Sequence, residues 1–292
     1  MIAARMAGGQ PTRFLHSSLA RARHFGTRLS HRFVRLEPFD GARPGVLVTG
    51  AGGTIGRVLR AGLADSYALR TVDQVPGTGI DLVADVRQFE RMEAACAGAS
   101  AVVDLAANSR VDTSWAAVKE NNITAAVAML EAAHRAGVGR VVLASSNHVT
   151  GMYERDEPYA SLLAGRFDGF DPVTLRRIRA DWPVRPDSFY AVGKCAAEAA
   201  GRYYAEEHGL SVICLRIGTV NQQDRPRNPR EYATLLTHRD LVQLVRRCFE
   251  APLDLRFAVV YGVSRNTWRI WDIEDAGSAL GYAPVDDAER FR

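Results

Sequence analysis

The feature that most constrains the fold is an apolar run that leads straight into a cluster of glycines, at residues 46–56. The run VLVT predicts a buried parallel strand, and the glycines predict a tight turn that opens a helix. Glycine lets the backbone approach a pyrophosphate, whose charge the N-terminus of the helix then stabilises. The glycines stand at 50, 53 and 56 rather than in the commoner G-x-G-x-x-G spacing. The segment predicts a dinucleotide-binding turn, and a glycine-rich turn without a ligand is the alternative.

Short β-branched runs alternate with helical patterns from Pro44 onward, as in a parallel sheet covered by helices on both faces. The clearest helical pattern covers residues 113–136, where Ala, Val, Met and Leu recur at helical spacing. We therefore predict an α/β fold, a Rossmann-type doubly wound parallel sheet with a small C-terminal substrate-binding part. The predicted strands are residues 46–49, 68–72, 82–84, 101–105, 140–145, 211–216 and 258–261.

The second predicted strand ends in Asp73. A carboxylate at this place would accept hydrogen bonds from the ribose hydroxyls of an adenosine. A 2′-phosphate would meet a like charge there, so the sequence favours NAD over NADP. Arg70 in the same strand is evidence for NADP instead. The alternative interpretation of Asp73 is an ordinary turn residue at the end of the strand.

Tyr190 and Lys194 are four residues apart in a segment with a helical pattern, so their side chains should share one face. An ammonium group beside a phenol favours the phenolate, which can act as a general base. Ser146 follows the fifth predicted strand. A Tyr-x-x-x-Lys pattern alone is common on solvated helices, but here a nucleotide-binding segment precedes it.

The net charge of +4 is concentrated at the N-terminus. Seven of the 37 basic residues lie in residues 1–36, which contain no acid, so the rest has 30 basic against 33 acidic residues. This mildly acidic body argues against nucleic-acid binding. We assign residues 1–42 to a basic, disordered extension and residues 43–292 to one domain. The extension resembles a mitochondrial presequence, and a solvated tail or an upstream start site is the reading that we favour.

The rest of the composition excludes several classes of protein. No run of 18 apolar residues occurs, so we expect no membrane span. The four cysteines are widely separated and form no metal-type pair, so we expect no metal site. Reduced thiols indicate a cytoplasmic protein, and mitochondrial import through the basic extension is the alternative.

Residues from Gly45 to the C-terminus resemble an extended short-chain dehydrogenase/reductase of the NAD-dependent epimerase/dehydratase superfamily. The resemblance rests on TGAGGTIG at 49–56, on Ser146, and on Tyr190 with Lys194. It implies that Ser146 and Tyr190 flank the reacting carbinol, that Lys194 binds the nicotinamide ribose, and that Asn122 helps to hold a proton-relay water. The residues implied to bind NAD are Gly50, Gly53, Thr54, Ile55, Gly56, Asp73, Asp85, Val86, Leu105, Ala106, Ala107, Lys194 and Ile217.

The chain departs from the family pattern at two positions. Gly193 stands where a serine often precedes the lysine, and Asp104 replaces a frequent histidine. Neither departure removes a catalytic group.

Two insertions, at about 151–187 and 219–236, interrupt the regular alternation and would lie over the site. Arg225, Arg227 and Arg230 in the second insertion favour a carboxylate or a phosphate on the substrate. The segments ASSNHVTG, RPDSFYAVGK, LRIGT and VVYGVSRNT resemble NAD-dependent uronate dehydrogenases. That resemblance implies substrate contacts by Ser109, Ser146, Asn147, His148 and Arg230.

The first insertion is longer than in the uronate dehydrogenases. Together with Arg110, Trp115 and GRYY at 201–204, it is more similar to short-chain-type NAD-dependent glucose-6-phosphate dehydrogenases. Both groups oxidise an aldose at C1 to a lactone. We therefore expect an oxidoreductase that uses NAD on a small anionic sugar, with a uronate first and glucose 6-phosphate as the alternative. Long helices such as 113–136 commonly pair in this family, which implies a homo-oligomer.

Two further hypotheses keep the fold and change the function. A nucleotide-sugar epimerase or dehydratase is one, although dehydratases place acidic residues where this chain has Asn147 and His148. A redox-sensing regulator that binds the dinucleotide without turnover is the other, although such proteins usually lack the tyrosine–lysine pair.

Overall fold

Seven strands form one parallel sheet, and each of them lies where an apolar run predicts it. A computed structural model describes residues 36–292. The sheet order is β3-β2-β1-β4-β5-β6-β7, and every neighbouring pair is parallel. The strands are β1 (Gly45–Thr49), β2 (Ala68–Asp73), β3 (Leu82–Val83), β4 (Ala101–Asp104), β5 (Arg140–Ser146), β6 (Ser211–Ile217) and β7 (Phe257–Gly262). The predicted fold class is confirmed.

Helices cover both faces of this sheet, because alternate residues of each strand point to opposite sides. In β1, Leu47 belongs to a buried cluster with α2, α4 and α6, whereas Val46 and Val48 belong to another with α1, α8 and α9. The helices are α1 (Thr54–Leu63), α2 (Phe89–Cys96), α3 (Trp115–Val118), α4 (Ala125–Arg135), α5 (Tyr159–Leu163), α6 (Phe189–His208), α7 (Glu231–Thr234), α8 (His238–Glu250) and α9 (Glu274–Leu280).

The chain order reverses between β1 and β4, which are neighbours in the sheet although β2 and β3 separate them in sequence. In open α/β sheets, ligands bind outside the carboxyl ends of the strands at such a switch point. The fold therefore places a crevice where the glycine-rich turn follows β1.

The helix predicted over 113–136 is interrupted. The α-helical pieces α3 and α4 are joined by a π-helical segment, Lys119–Thr124. A π-helical turn takes one extra residue and changes which side chains face inward. The hydrophobic periodicity predicts the length of this element and does not show the change of winding.

The first insertion forms a small hydrophobic cluster with the end of β7 and the segment that follows it. Tyr159, Leu162 and Ile178 pack there against Tyr261 and Trp271. A bridge between Ile178 and Trp271 ties the two segments together. The insertion also contains α5 and begins within a 3₁₀-helical stretch, Asn147–Arg155.

The compact unit begins seven residues before the predicted domain boundary at residue 43. The compact unit covers Leu36–Arg292. The Phe39 ring lies against Gly45, where an added Cβ would be 2.6 Å from Phe39 Cγ. The guanidinium of Arg70 stacks 4.0 Å from the centre of that ring and donates a hydrogen bond to the Glu37 carbonyl oxygen at 2.7 Å. These contacts hold residues 36–42 to the sheet, and the rest of the proposed extension lies outside the described residues.

Between Leu36 and Arg292, no helix has both the length and the apolar character that a membrane crossing requires.

Candidate active site

A cleft of about 750 Å³ opens at the carboxyl ends of the central strands. All the residues predicted to bind cofactor line it, and so do Ser109, Asn147, His148 and Arg230, which were predicted to bind substrate. Ser146, Tyr190 and Lys194 lie in the same cleft. Asn122 is the one predicted site residue that does not line it.

The glycine-rich turn forms a cradle that side chains would fill. Gly50 has a φ of +60°, and a Cβ there would be 3.0 Å from the Leu105 carbonyl group. A Cβ on Gly56 would be 2.6 Å from the Gly50 oxygen. Gly53 caps α1, and among residues 36–292 no side chain bonds to the first N–H groups of that helix. Those N–H groups remain open to an anion, as a pyrophosphate site requires.

Asp73 and Arg70 favour different cofactors in the sequence, and their side chains lie in different places in the structure. Asp73 lines the cleft, where its oxygens accept hydrogen bonds from the backbone N–H groups of Gly52 and Val75, both at 2.9 Å. Arg70 points away from the cleft, because its Nη1 donates to the Ala95 carbonyl oxygen at 2.6 Å. Arg70 is thus used in packing, and of these two side chains only the Asp73 carboxylate lines the cleft.

Asp85, predicted to bind cofactor, is paired with Arg87, which also lines the cleft. Arg87 Nη2 lies 2.6 Å from Asp85 Oδ2. Hydrogen bonds from Arg87 lower the pKa of Asp85 against the opposing effect of partial burial. The ion pair with Arg87 therefore favours the charged form of the Asp85 carboxylate in the cleft.

Tyr190, Lys194 and Ser146 converge where α6 meets the end of β5. Ser188 caps α6 by accepting a hydrogen bond from the Ala191 N–H at 3.2 Å, so Tyr190 lies in the first turn. The Lys194 ammonium lies 5.9 Å from the centre of the Tyr190 ring and donates to the Ala144 carbonyl oxygen at 2.6 Å. Ser146 is two residues beyond Ala144 on the same strand, which brings the three side chains to one place.

Close packing around position 193 explains why the chain has a glycine there. A Cβ there would be 2.6 Å from Val118 Cγ1 and 3.2 Å from Asn122 Cβ. The π-helical segment and α3 pack directly on α6 at this point, and a serine would not fit without a shift. Glycine at this position thus allows a close approach of the two helices.

Asn122 is buried and ties the loop after β4 to the π-helical segment. Its Oδ1 accepts a hydrogen bond from the Asn108 N–H, and its Nδ2 donates to the Asn108 carbonyl oxygen, both at 3.0 Å. Its neighbour Asn121 lines the cleft. The structure therefore gives Asn122 a positioning contact, and its proposed role in a proton relay stays a prediction.

Asp104, the second departure, lies beneath the cofactor cleft. Thr49 donates a 2.6 Å hydrogen bond to its Oδ1, and the Ala106 N–H approaches the same oxygen at 3.3 Å. Burial raises the pKa of Asp104, and these bonds and the charge of Lys194 only partly oppose the change. Asp104 joins the ends of β1 and β4 at the switch point.

A buried ion pair joins α6, the helix that carries Tyr190 and Lys194, to β6. Arg216 on β6 donates to both carboxylate oxygens of Glu198, each at 2.9 Å, and Ser145 Oγ donates to Glu198 at 2.5 Å. Glu198 lies one turn after Lys194 on α6. Burial alone would lower the pKa of Arg216, but the hydrogen bonds and charge of Glu198 raise it.

His148 is held by a carboxylate that the sequence analysis did not identify. Its Nδ1 lies 2.6 Å from Asp187 Oδ2, and Ser188 Oγ donates to the other oxygen at 2.9 Å. A Cβ on Gly151 would be 2.0 Å from Asp187, so glycine makes room for this carboxylate. Burial tends to raise the pKa of Asp187, but the hydrogen bond and charge of His148 lower it overall. The pair leaves Nε2 of His148 free to meet a ligand, and the RPDS segment before Tyr190 is the signal that could have found Asp187.

Among the three clustered arginines, only Arg230 lines the cleft. Its Nε and Nη2 donate to the two carboxylate oxygens of Glu154, each at 2.7 Å. Arg227 is paired instead with Glu231, at 2.7 Å from Nη2 to Oε1. Glu154 was not predicted, and no motif signals it.

Comparisons with known proteins agree with this geometry. The model of the NAD dependent epimerase/dehydratase family matches residues 46–239. An NAD-dependent glucose-6-phosphate dehydrogenase from Haloferax volcanii is 34% identical over 257 residues, which cover 84% of this chain and 95% of that protein. An L-arabinose 1-dehydrogenase from the same organism is 35% identical, covering 83% of this chain and 97% of that one. A mutant uronate dehydrogenase from Agrobacterium tumefaciens, solved with NAD, has a TM-score of 0.71 at 32% identity, covering 86% of this chain and 88% of that one.

Proposed function

The chain belongs to the NAD dependent epimerase/dehydratase family, and from this membership we propose that it oxidises an anionic aldose at C1, a uronate first, to the lactone. It is an NAD-dependent oxidoreductase, and its relatives support a sugar dehydrogenase. The choice of a uronate and of C1 is the proposal. The observation that carries it is that Tyr190, His148 and Arg230 line one cleft, with the centres of the His148 and Tyr190 rings 6.0 Å apart.

The residues of the cleft fit the dinucleotide. The cradle at Gly50 and Gly56 and the uncapped start of α1 suit the pyrophosphate, and Asp73 suits the adenosine ribose. Lys194 would hold the nicotinamide ribose. When bound, NAD supplies the acceptor for the hydride that leaves C1.

Tyr190 acts as the general base in the proposed reaction. Its phenolate oxygen takes the proton of the C1 hydroxyl as the C1–H bond breaks and the C1–O bond becomes a carbonyl. The Lys194 ammonium lies 5.9 Å from the centre of the Tyr190 ring, so a positive charge stands near the reacting oxygen. Ser146 donates a hydrogen bond to the reacting oxygen and so orients C1. The proton is then released to solvent, and the sugar leaves as the lactone.

Two further residues that line the cleft, Arg230 and His148, position the sugar. Arg230 binds the substrate anion, and His148, fixed by Asp187, bonds a ring hydroxyl. Anchoring the sugar at two ends keeps C1 at reacting distance, which lowers the entropic cost of the step.

Glucose 6-phosphate is the second candidate substrate. It is favoured by the Haloferax volcanii glucose-6-phosphate dehydrogenase, 95% of which is matched by this chain. An epimerase or dehydratase is less favoured, because Asn147 and His148 follow Ser146 where dehydratases carry acids.

The test is NADH formation, followed at 340 nm, with glucuronate, galacturonate, glucose 6-phosphate, galactose and arabinose in parallel. We expect the two uronates to give the highest kcat/KM and NADP to be used poorly in place of NAD. NADH formation with none of these sugars, despite NAD binding, would contradict the proposal.

A further inference from the structure

Glu154, in the 3₁₀-helical stretch at the start of the first insertion, holds one edge of the Arg230 guanidinium inside the cleft. The two hydrogen bonds are both 2.7 Å, from Nε and from Nη2. The Glu154 side chain is 15% exposed and that of Arg230 is 30% exposed. A side-on, two-bond pair between ionised groups is the strong form of this interaction. Any anion that uses Arg230 must therefore bind beside a carboxylate that is already there.

Some N–H groups of the Arg230 guanidinium do not bond to Glu154. A guanidinium carries five N–H groups, and Glu154 accepts from two of them. Among residues 36–292, no group accepts a hydrogen bond from Nη1. The free N–H groups on Nη1 and Nη2 form the end-on fork, which matches the two oxygens of one planar carboxylate.

The charges around Arg230 limit what that fork can neutralise. Asp187 lies close enough to act on Arg230 electrostatically and carries a second negative charge. Arg227 is taken by Glu231, and Lys194 is bound to Ala144 beside Tyr190. A substrate with one negative charge meets surroundings in which Arg230 is already balanced by Glu154. Arg230, Glu154 and Asp187 together carry a net charge of −1, so they repel a substrate with two negative charges about twice as strongly as a substrate with one.

We propose that Glu154 is a specificity-determining residue, which sets the Arg230 side of the cleft for a sugar carboxylate and against the phosphate of an aldose phosphate. The inference rests on the proposed C1 oxidation and selects between its two candidate substrates. A phosphate monoester carries close to two negative charges at neutral pH, because its second pKa is near 6. Glu154 acts through charge and through its hold on Arg230, and it takes no part in the proton transfer.

The experiment compares the wild-type protein with Glu154→Gln in steady-state assays at pH 8 with glucuronate, glucose 6-phosphate and galactose. Glutamine keeps the size of the side chain and removes its charge. Relative to glucuronate, kcat/KM for glucose 6-phosphate should rise about tenfold in E154Q, equivalent to about 1.4 kcal/mol. The value for galactose, which has no charge, should change less than threefold. Because the readout is a ratio between substrates, a general loss of folded protein does not alter it.

Two variants serve as controls. Glu157→Gln removes a charge from the same insertion at an exposed residue that bonds to Ser161 and not to Arg230, so the ratio should stay within twofold. Glu154→Asp keeps the charge and should keep the preference for glucuronate.

The outcomes separate the two proposals. An unchanged substrate ratio in E154Q, or an equal change in E157Q, would overturn the role of Glu154 and leave the C1 oxidation standing. A wild-type protein that oxidises no aldose would overturn the C1 oxidation, and the role of Glu154 with it.

Discussion

The buried pair of Glu198 and Arg216 gives the sharpest prediction about stability. The two side chains are 9% and 3% exposed and share two 2.9 Å hydrogen bonds, and Ser145 bonds to the same carboxylate. In Glu198→Gln, the amide can accept only at its oxygen, so Arg216 keeps a buried charge and one of its N–H groups faces another donor. Breaking a buried pair in this way costs about 3–5 kcal/mol.

A loss of this size is readily measured. For a domain of this length, each kcal/mol lowers Tm by about 2–4 °C, so E198Q should melt about 10 °C below the wild type. Urea unfolding followed by circular dichroism would give the free energy of unfolding directly. Because Glu198 lies one turn after Lys194 and Ser145 precedes Ser146, kcat should also fall in the folded variant.

The matched control lies on the same helix. Glu206 pairs with Arg202, but the side chains are 64% and 58% exposed. Exposed pairs of this kind contribute about 0.5 kcal/mol or less, so Glu206→Gln should melt within about 2 °C of the wild type. If E198Q lost less than 1 kcal/mol, or no more than E206Q, the account of the buried pair would be refuted.

Three further predictions concern the cofactor, the helix contact and pH. Asp73→Ser should raise the KM for NAD and reduce the preference for NAD over NADP. Initial rates with both cofactors would measure this, and an unchanged preference would contradict the placement of Asp73 at the ribose. Gly193→Ser should lower Tm and kcat, because its Cβ would be 2.6 Å from Val118 Cγ1; a wild-type Tm would contradict the close approach. The pKa of Asp187 is lowered in the fold, so its stabilising effect is present above the unfolded value near 4 and is lost as the pH falls through the folded value. The difference in unfolding free energy between the wild type and Asp187→Asn should therefore shrink below about pH 4, and a difference that grows on acidification would reverse the assigned sign.

The fold could be predicted from sequence because each strand of a parallel sheet is a short apolar run. Each such run can be recognised in the sequence on its own, without knowledge of its partners. The strand bounds agree with the predicted ones to within a residue at either end, from β1 to β7. The π-helical segment could not be predicted, because it depends on a long-range contact between Asn122 and Asn108 and on the approach to Gly193. The contacts of residues 36–42 could not be predicted for the same reason, since the role of Phe39 is recognised only from its contact with Arg70.

Site residues that belong to a local sequence motif could be predicted. Site residues that are defined by a contact with a residue distant in sequence could not. The glycine turn and the Tyr190–Lys194 pair follow from local spacing, and they lie in one cleft. Glu154 and Asp187 follow from nothing local, because each is defined by its partner, Arg230 or His148. Arg70 and Asp73 gave opposing signals in one strand, and only the side-chain directions show which of them faces the cleft.

The central claim, that Tyr190 is the general base, is tested most directly by Tyr190→Phe. The variant removes one oxygen and leaves the ring and the residues of the cofactor cradle in place. With the best aldose, kcat should fall by about 10²–10⁴, while the Kd for NAD, measured by calorimetry, should change less than threefold. A kcat within tenfold of the wild type, with NAD binding intact, would contradict the account.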